Sequence, residues 1–207
     1  RKKMQTILIT GGTGLVGKAL TKRLVKKGFH VIVLTRKLPV QNDEKNIEFA
    51  LWDVAKKNID IAAVQKADHI IHLAGAGVVE KRWTAAYKKE IQQSRIQSSI
   101  LLIETLKQHE NKVQTIVSAS AIGWYGADEG PQQIPFTETA KPDTAFLGET
   151  CRMWEESIDA ATVLNKRVVK LRTGIVLSNA GGAYAEFKKP LRFGVATILS
   201  SGKQIIS

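Results

Sequence analysis

The sequence predicts an α/β protein, with short buried strands alternating with amphipathic helices around a parallel sheet. Three observations predict it. The run Thr6-Ile-Leu-Ile-Thr10 is apolar or β-branched and stops in a glycine-rich turn, Gly11-Gly-Thr-Gly14. The Leu15, Val16, Ala19, Leu20, Leu24 spacing behind that turn is helical. Short runs of the same kind return along the chain, with no internal repeat beyond the alternation and no low-complexity linker. A length of 207 residues fits one well-buried domain.

Strand, glycine turn and helix together make a phosphate-binding unit. Gly11 permits the tight turn, Gly14 lets the backbone approach a pyrophosphate, and Gly17 lets the helix pack close. Gly12, Gly14 and Gly17 also satisfy G-x-G-x-x-G, in the strand-before and helix-after context that gives the pattern meaning. The helix N-terminus, with unpaired N–H groups and the positive end of the dipole, favours an anion. Gly11, Thr13, Gly14, Leu15, Val16 and Gly17 are the candidate cofactor contacts of this turn.

Gly28 ends the first helix, and His30–Thr35 forms the second strand. A dinucleotide fold that selects NAD places a carboxylate at the end of this strand, whereas an Arg accommodates the 2′-phosphate of NADP. Here the residues are Thr35-Arg36-Lys37, which favours NADP over NAD; the alternative is that Arg36 only starts a solvated loop. Ile47–Leu51 reads as the third strand. Asp53, just beyond it, either meets an adenine amino group or caps a turn. Asp68–Leu73 is the fourth strand, and Leu73, Ala74 and Gly75 pass close to the cofactor in this reading.

A long helix follows, from about Thr84 to Lys107, with an inner face through Tyr87, Ile91, Ser94, Ser98 and Leu102. Its two serines imply either close approach to another backbone or a wet contact. Val113–Val117 is the fifth strand, delivering Ser118-Ala-Ser-Ala-Ile-Gly-Trp-Tyr-Gly126 to the edge where open parallel sheets bind ligands, so Ser120 and Tyr125 are candidate catalytic residues. After a loop with Pro131, Pro135 and Pro142, a helix spans about Ala145 to Leu164, and Arg167–Arg172 makes the sixth strand.

Composition narrows the function classes. The net charge is +12, and residues 1–50 hold eleven Lys or Arg against three Asp or Glu. Lys18, Lys22, Arg23, Lys26 and Lys27 cluster on the first helix, as a solvated face or as attraction for a polyanionic cofactor. No aromatic-interleaved basic groove or helix-turn-helix pattern points to nucleic acid. No stretch approaches 18 uninterrupted apolar residues, so no membrane span is expected. The one cysteine, Cys151, excludes an internal disulfide and fits a reducing cytoplasm, and the four histidines show no metal-ligand spacing.

With these pieces in place, the chain resembles the extended and atypical short-chain dehydrogenase/reductases of the NAD-dependent epimerase/dehydratase superfamily. More narrowly it resembles the "epimerase family protein" group, also labelled sugar-nucleotide epimerases or cell-division-inhibitor-like proteins. The matching stretches include Thr10–Gly17, His72–Gly75, Lys81–Trp83, Ser118–Gly126, Phe136–Glu138, Phe146–Leu147, Trp154–Glu155, Leu171–Leu177 and Gly202–Gln204. The resemblance implies a Rossmann-type doubly wound parallel sheet of strand order 3-2-1-4-5-6. It implies an NAD(P)-binding domain over residues 1–177, with 178–207 starting a substrate-binding lobe that is otherwise missing from a fragment. It also implies a small-molecule substrate, with nucleotide sugar inferred from the superfamily alone.

Superfamily catalysis uses a Ser or Thr after the fifth strand and a Tyr-x-x-x-Lys pair on the next helix. Ser120 matches the serine. Aligning Gly148 with the Gly that often follows the Tyr puts Leu147 at the Tyr position and Cys151 at the Lys position, and neither side chain can move a proton or supply a cation in that role. Two functions are therefore expected as alternatives. One is an NADP(H)-dependent oxidoreductase or epimerase using Tyr125 as proton donor, although tyrosines at that place also serve as packing or substrate-side residues. The other is a cofactor-bound sensor or scaffold without turnover.

Overall fold

A computed structural model describes residues 4–41, 44–127 and 135–195. Seven strands form one sheet: β1 (Thr6–Thr10), β2 (His30–Thr35), β3 (Ile47–Asp53), β4 (Asn58–Ile59), β5 (His69–His72), β6 (Thr115–Ala121) and β7 (Arg167–Thr173). Their order is β4-β3-β2-β1-β5-β6-β7. All pairs are parallel except β3 with β4, whose hairpin register sets Trp52 against Ile59 and Asp53 against Asn58. The six strands read from sequence thus take the order 3-2-1-4-5-6, and β4 adds a two-residue antiparallel edge outside the third.

The helices are α1 (Leu15–Lys26), α2 (Ile61–Lys66), α3 (Ala85–Gln108), α4 (Phe146–Asp159) and α5 (Ala183–Lys188). Side-chain caps fix two starts: Asp60 accepts from Ala63 N at 3.0 Å for α2, and Thr84 accepts from Tyr87 N at 3.2 Å for α3. The helix expected to reach Leu164 is α-helical only to Asp159. Its last turn, Ala160–Leu164, tightens to a 3₁₀ helix ending at Asn165 with φ 56°.

Period-2 alternation divides the core. Leu8, Ile32, Leu34, Ala50, Ile70 and Ile116 face α2, α3 and α4, meeting Val64, Leu101, Leu102, Leu106 and Ile158 in the larger cluster. The opposite face, Ile7, Ile9, Val31 and Val33, packs against Leu24 and Val25 of α1. Gly17 and Thr21 are the buried residues of α1. The helix therefore sits more shallowly than its apolar spacing predicts: Val16 is 45% exposed and Ala19 is exposed. Lys18, Lys22, Arg23, Lys26 and Lys27 all lie on its exposed face.

The fifth sequence-read strand runs longer than expected. Its pairing with β7 continues from Thr115↔Arg167 through Ala121↔Thr173, which takes Ser118 and Ser120 into the strand. Both serines share the parity of Ile116 and face the α4 side, buried. Among the described residues no helix is long and apolar enough to cross a membrane. Pro131 and the Gly202–Gln204 stretch lie outside the described residues.

Candidate functional site

The turn after β1 closes tightly on itself. Gly14 N donates to Gly11 O at 3.0 Å, and Gly11 has φ 68°, a left-handed conformation that favours glycine. A Cβ on Gly11 would stand 2.8 Å from the Leu73 carbonyl, and one on Gly17 would stand 2.3 Å from Gly11 O. The turn and the end of β5 therefore meet through backbone alone. Gly14 is the N-cap of α1 and offers no side-chain acceptor, and the first turn of the helix has no acidic residue. Unsatisfied N–H groups at this end present an anion site. Thr13 is exposed, Leu15 half-buried, and Gly182, beyond β7, lies so that a Cβ there would meet Leu15 Cδ2 at 3.3 Å.

A buried polar cluster locks β1 to β5 behind this turn. Thr10 Oγ1 accepts from Leu73 N at 3.1 Å and Ala74 N at 3.2 Å. Its one proton then goes to His72 Nδ1, 2.7 Å away. His72 Nε2 consequently carries the ring proton and donates to Ser99 Oγ at 3.2 Å, with Ser98 Oγ at 3.3 Å. Both serines spend their own protons on Arg95 O. Burial pulls the His72 imidazole down from 6.5 to about 4, so it is neutral at pH 7. The stripe of serines on α3 is thus explained by close approach: Ser94 Oγ also accepts from Ala76 N at 2.9 Å, fixing the loop after β5.

Arg36 stands just past the end of β2, exposed and without a hydrogen bond or ion pair among the described residues; Thr35 Oγ1 donates to Lys37 O at 3.0 Å. Asp53 Oδ1 accepts from Lys56 N at 3.1 Å, capping the turn at the start of the β3–β4 hairpin.

On the other side of β1, Ser120 donates to Glu155 Oε1 at 2.6 Å. Glu155 is 3% exposed and receives Arg172 Nε on Oε1 at 2.8 Å and Nη2 on Oε2 at 3.0 Å, a two-pronged pair. Burial pushes the Glu155 carboxyl up, but the hydrogen bonds of Arg172 and Ser120 outweigh it and hold it below the usual carboxylate value. Arg172 Nη1 donates to Tyr125 Oη at 3.1 Å and to Glu138 O at 3.1 Å, and its guanidinium lies 3.7 Å from the Trp124 ring centroid. Tyr125 is half-buried and stacks on Phe136 at 4.9 Å. Ser120 and Tyr125, both named from sequence, are therefore linked through Glu155 and Arg172, which sequence reasoning did not single out.

Leu147 and Cys151 lie one turn apart on α4. A Cβ on Gly123 would meet Leu147 Cβ at 3.1 Å and Cys151 Sγ at 3.7 Å. The Cys151 thiol donates to Ala121 O at 3.6 Å, and burial pushes its pKa up. It is a neutral thiol. Arg95 of α3 projects beneath Gly75, with Nη1 donating to Ala76 O at 3.0 Å and Ile91 O at 2.8 Å. Among the described residues no group of three His, Cys, Asp or Glu is placed to hold a metal.

A glycine turn at the N-terminus of an uncapped helix, at the centre of a doubly wound parallel sheet, defines the class of Rossmann-type nucleotide-binding proteins. Residues 7–150 match the model of the NAD dependent epimerase/dehydratase family, and the chain belongs to that family. It is 37% identical over 204 residues to an epimerase family protein of Staphylococcus haemolyticus, covering 97% of this chain and 65% of that protein. The chain thus spans about two thirds of the length of the curated relatives it matches. Among solved structures it is similar to a nucleoside-diphosphate sugar epimerase from Corynebacterium glutamicum, 33% identical with a TM-score of 0.79, covering 99% of this chain and 41% of the other. A human epimerase family protein crystallised with NADPH has the same fold, 24% identical with a TM-score of 0.75, covering 98% and 64%. So has the UDP-glucuronic acid 4-epimerase of Bacillus cereus, solved with UDP-glucuronic acid and NAD, 21% identical with a TM-score of 0.78, covering 98% and 68%.

Proposed function

We propose that this chain is the dinucleotide-binding part of an NADP(H)-dependent epimerase/dehydratase-like oxidoreductase acting on a nucleotide sugar in the cytoplasm, with residues from 178 onward beginning the substrate lobe. The observation that carries the reading is the closed glycine turn on the uncapped end of α1. Its backbone passes Leu73 with no room for a Cβ, and it offers N–H donors to a pyrophosphate. Gly11, Thr13, Gly14, Leu15, Val16 and Gly17 cradle the pyrophosphate, and Leu73, Ala74 and Gly75 line its far side. Asp53 borders the adenine while its Oδ1 caps the turn. Arg36, exposed at the end of β2, pairs with the 2′-phosphate, which is the reason for preferring NADP to NAD. Nucleotide sugar is supported by the 33% identical Corynebacterium epimerase.

The nicotinamide, when bound, supplies hydride chemistry; the chain supplies the proton. Leu147 and Cys151 cannot, so Tyr125 Oη is the proton-transfer group, held by Arg172 Nη1. The guanidinium stabilises charge that develops on that oxygen as the proton leaves. Ser120 acts through Glu155, orienting Arg172 and with it Tyr125. The second reading, a dinucleotide-bound sensor or scaffold without turnover, is favoured by the hydrocarbon and neutral thiol at positions 147 and 151.

The test uses the full-length protein. Titration calorimetry should show NADP binding several-fold tighter than NAD, and Arg36→Ala should erase the gap; equal affinities in the parent would refute the NADP assignment. Tyr125→Phe removes one hydroxyl and little packing. It should lower turnover of a nucleotide sugar by about 10²–10⁴-fold with NADP binding intact. Unchanged turnover would remove Tyr125 from the reaction, and tight NADP binding with no turnover of any nucleotide sugar would favour the sensor.

A further inference from the structure

Arg95 is a half-buried cation that the proposed function leaves without a task. It leaves the third turn of α3 and lies against the loop that follows β5. Gly75 makes that approach possible, since a Cβ there would stand 3.1 Å from both Cγ and Cζ of Arg95. The guanidinium sits 4.9 Å from the Trp154 ring centroid, over a side chain that is 5% exposed. Its hydrogen bonds among the described residues both leave from Nη1, to Ala76 O and Ile91 O. Nε–H and the two Nη2–H groups remain to donate elsewhere. No carboxylate among the described residues pairs with it, and the groups that bear on its charge, the Cys151 thiol and the Tyr87 phenol, are both neutral in their ordinary forms. Burial pulls this guanidinium down from its ordinary value. Trp154 Nε1 on the neighbouring ring is a buried donor with no partner among the described residues.

With both of its hydrogen bonds leaving from Nη1, the half-buried Arg95 guanidinium keeps Nε and Nη2 open to a partner from outside the chain, and such a fork of free donors is suited to an oxygen-rich ligand. Strand order decides which part of that ligand comes near. The glycine turn ends β1, Arg36 ends β2, and Arg95 lies under the loop after β5, on the far side of β1 from Arg36. A dinucleotide with its pyrophosphate at the glycine turn and its adenosine toward β2 carries its other half over β5. We propose that Arg95 donates from Nε and Nη2 to an oxygen of the ribosyl-nicotinamide half of the bound dinucleotide. This rests on the dinucleotide reading above. It places a fixed cation from α3 beside Cys151, at the place on α4 where a lysine would otherwise stand.

The experiment compares two probes on the full-length protein by titration calorimetry: NADPH, and adenosine 2′,5′-bisphosphate, which lacks the pyrophosphate-linked nicotinamide half. Arg95→Met should weaken NADPH about tenfold to a hundredfold, the range for a hydrogen bond to a charged group, and leave the bisphosphate unchanged. Arg95→Lys keeps the charge and a donor for the loop carbonyls. It should lose NADPH affinity by a smaller factor, again with the bisphosphate unchanged, and it serves where the Met variant melts below the assay temperature. Equal weakening of both probes, or no weakening of NADPH, would overturn the assignment of Arg95 while leaving the dinucleotide reading in place. Failure of the parent to bind either probe would overturn that reading and this inference with it.

Discussion

The neutral histidine behind the glycine turn makes the protein sensitive to mild acid in a way that can be isolated. His72 is fully buried, and its Nδ1 accepts a hydrogen bond from Thr10 Oγ1. Protonating the ring would set two donors against each other and charge the core. Its folded value is about 4 against 6.5 for the free side chain. The neutral form is therefore favoured on folding. The contribution is full above pH 6.5, is lost as pH falls from 6.5 toward 4, and is flat below. The whole gap corresponds to about 3 kcal/mol, and about 2 kcal/mol of it should vanish between pH 7 and pH 5. The carboxylates held below their usual values, Glu48, Asp68, Glu149 and Glu155, lose their contributions at lower pH and are common to both proteins compared. Urea unfolding of the parent and of His72→Gln at pH 7 and pH 5 gives four stabilities. The parent should lose about 2 kcal/mol more than the variant over this interval. Equal losses in the two proteins would show that His72 is not held neutral in the core, and the proton assignment from Thr10 through His72 to Ser99 would fall with it.

Two further substitutions test the site's framework. Gly17→Ala places a Cβ 2.3 Å from Gly11 O and 2.6 Å from Gly12 Cα, backbone atoms that cannot step aside; it should cost about 1–3 kcal/mol in urea unfolding and abolish dinucleotide binding, and a neutral effect would contradict the closeness of the turn. Glu155→Gln leaves the Arg172 guanidinium, 14% exposed, without its carboxylate; a loss of about 3 kcal/mol is expected, read from the same unfolding midpoints, whereas a change under 1 kcal/mol would mean that the pair is solvated.

The scaffold was readable because its signals are local. A β-branched run broken by glycine announces β1 and its turn within a dozen residues, and six strand runs taken in order lead to the observed sheet. The β4 edge escaped because two residues, Asn58 and Ile59, carry no period of their own; Trp52 and Asp53 recruit them. β6 was cut short at Val117 because serine and alanine have little strand signal. It is the β7 pairing through Ala121↔Thr173 that extends it. The same non-locality hid the Ser120–Glu155–Arg172 network. Its members lie 35 and 17 positions apart, on a strand, a helix and another strand, and only the β6–β7 register sets Ser120 beside Arg172. Arg95 was invisible for another reason: a lone arginine in the middle of a helix is ordinarily a solvated one, and nothing in its neighbours announces the bare glycine it packs under.

The shallow seat of α1 has a consequence for how the molecule opens. The sheet's other face is held by three helices sharing a single large cluster, whereas α1 buries Gly17 and Thr21 and otherwise leans on Leu24 and Val25. Amide exchange should accordingly be fastest to release α1 among the helices packed on the sheet, through partial opening that leaves β5, β6 and α3 protected. The helix that presents its end to the dinucleotide on the proposed reading is then also the first to detach. A ligand that requires it in place acts as a latch, closing this opening by mass action in proportion to its free concentration over its dissociation constant.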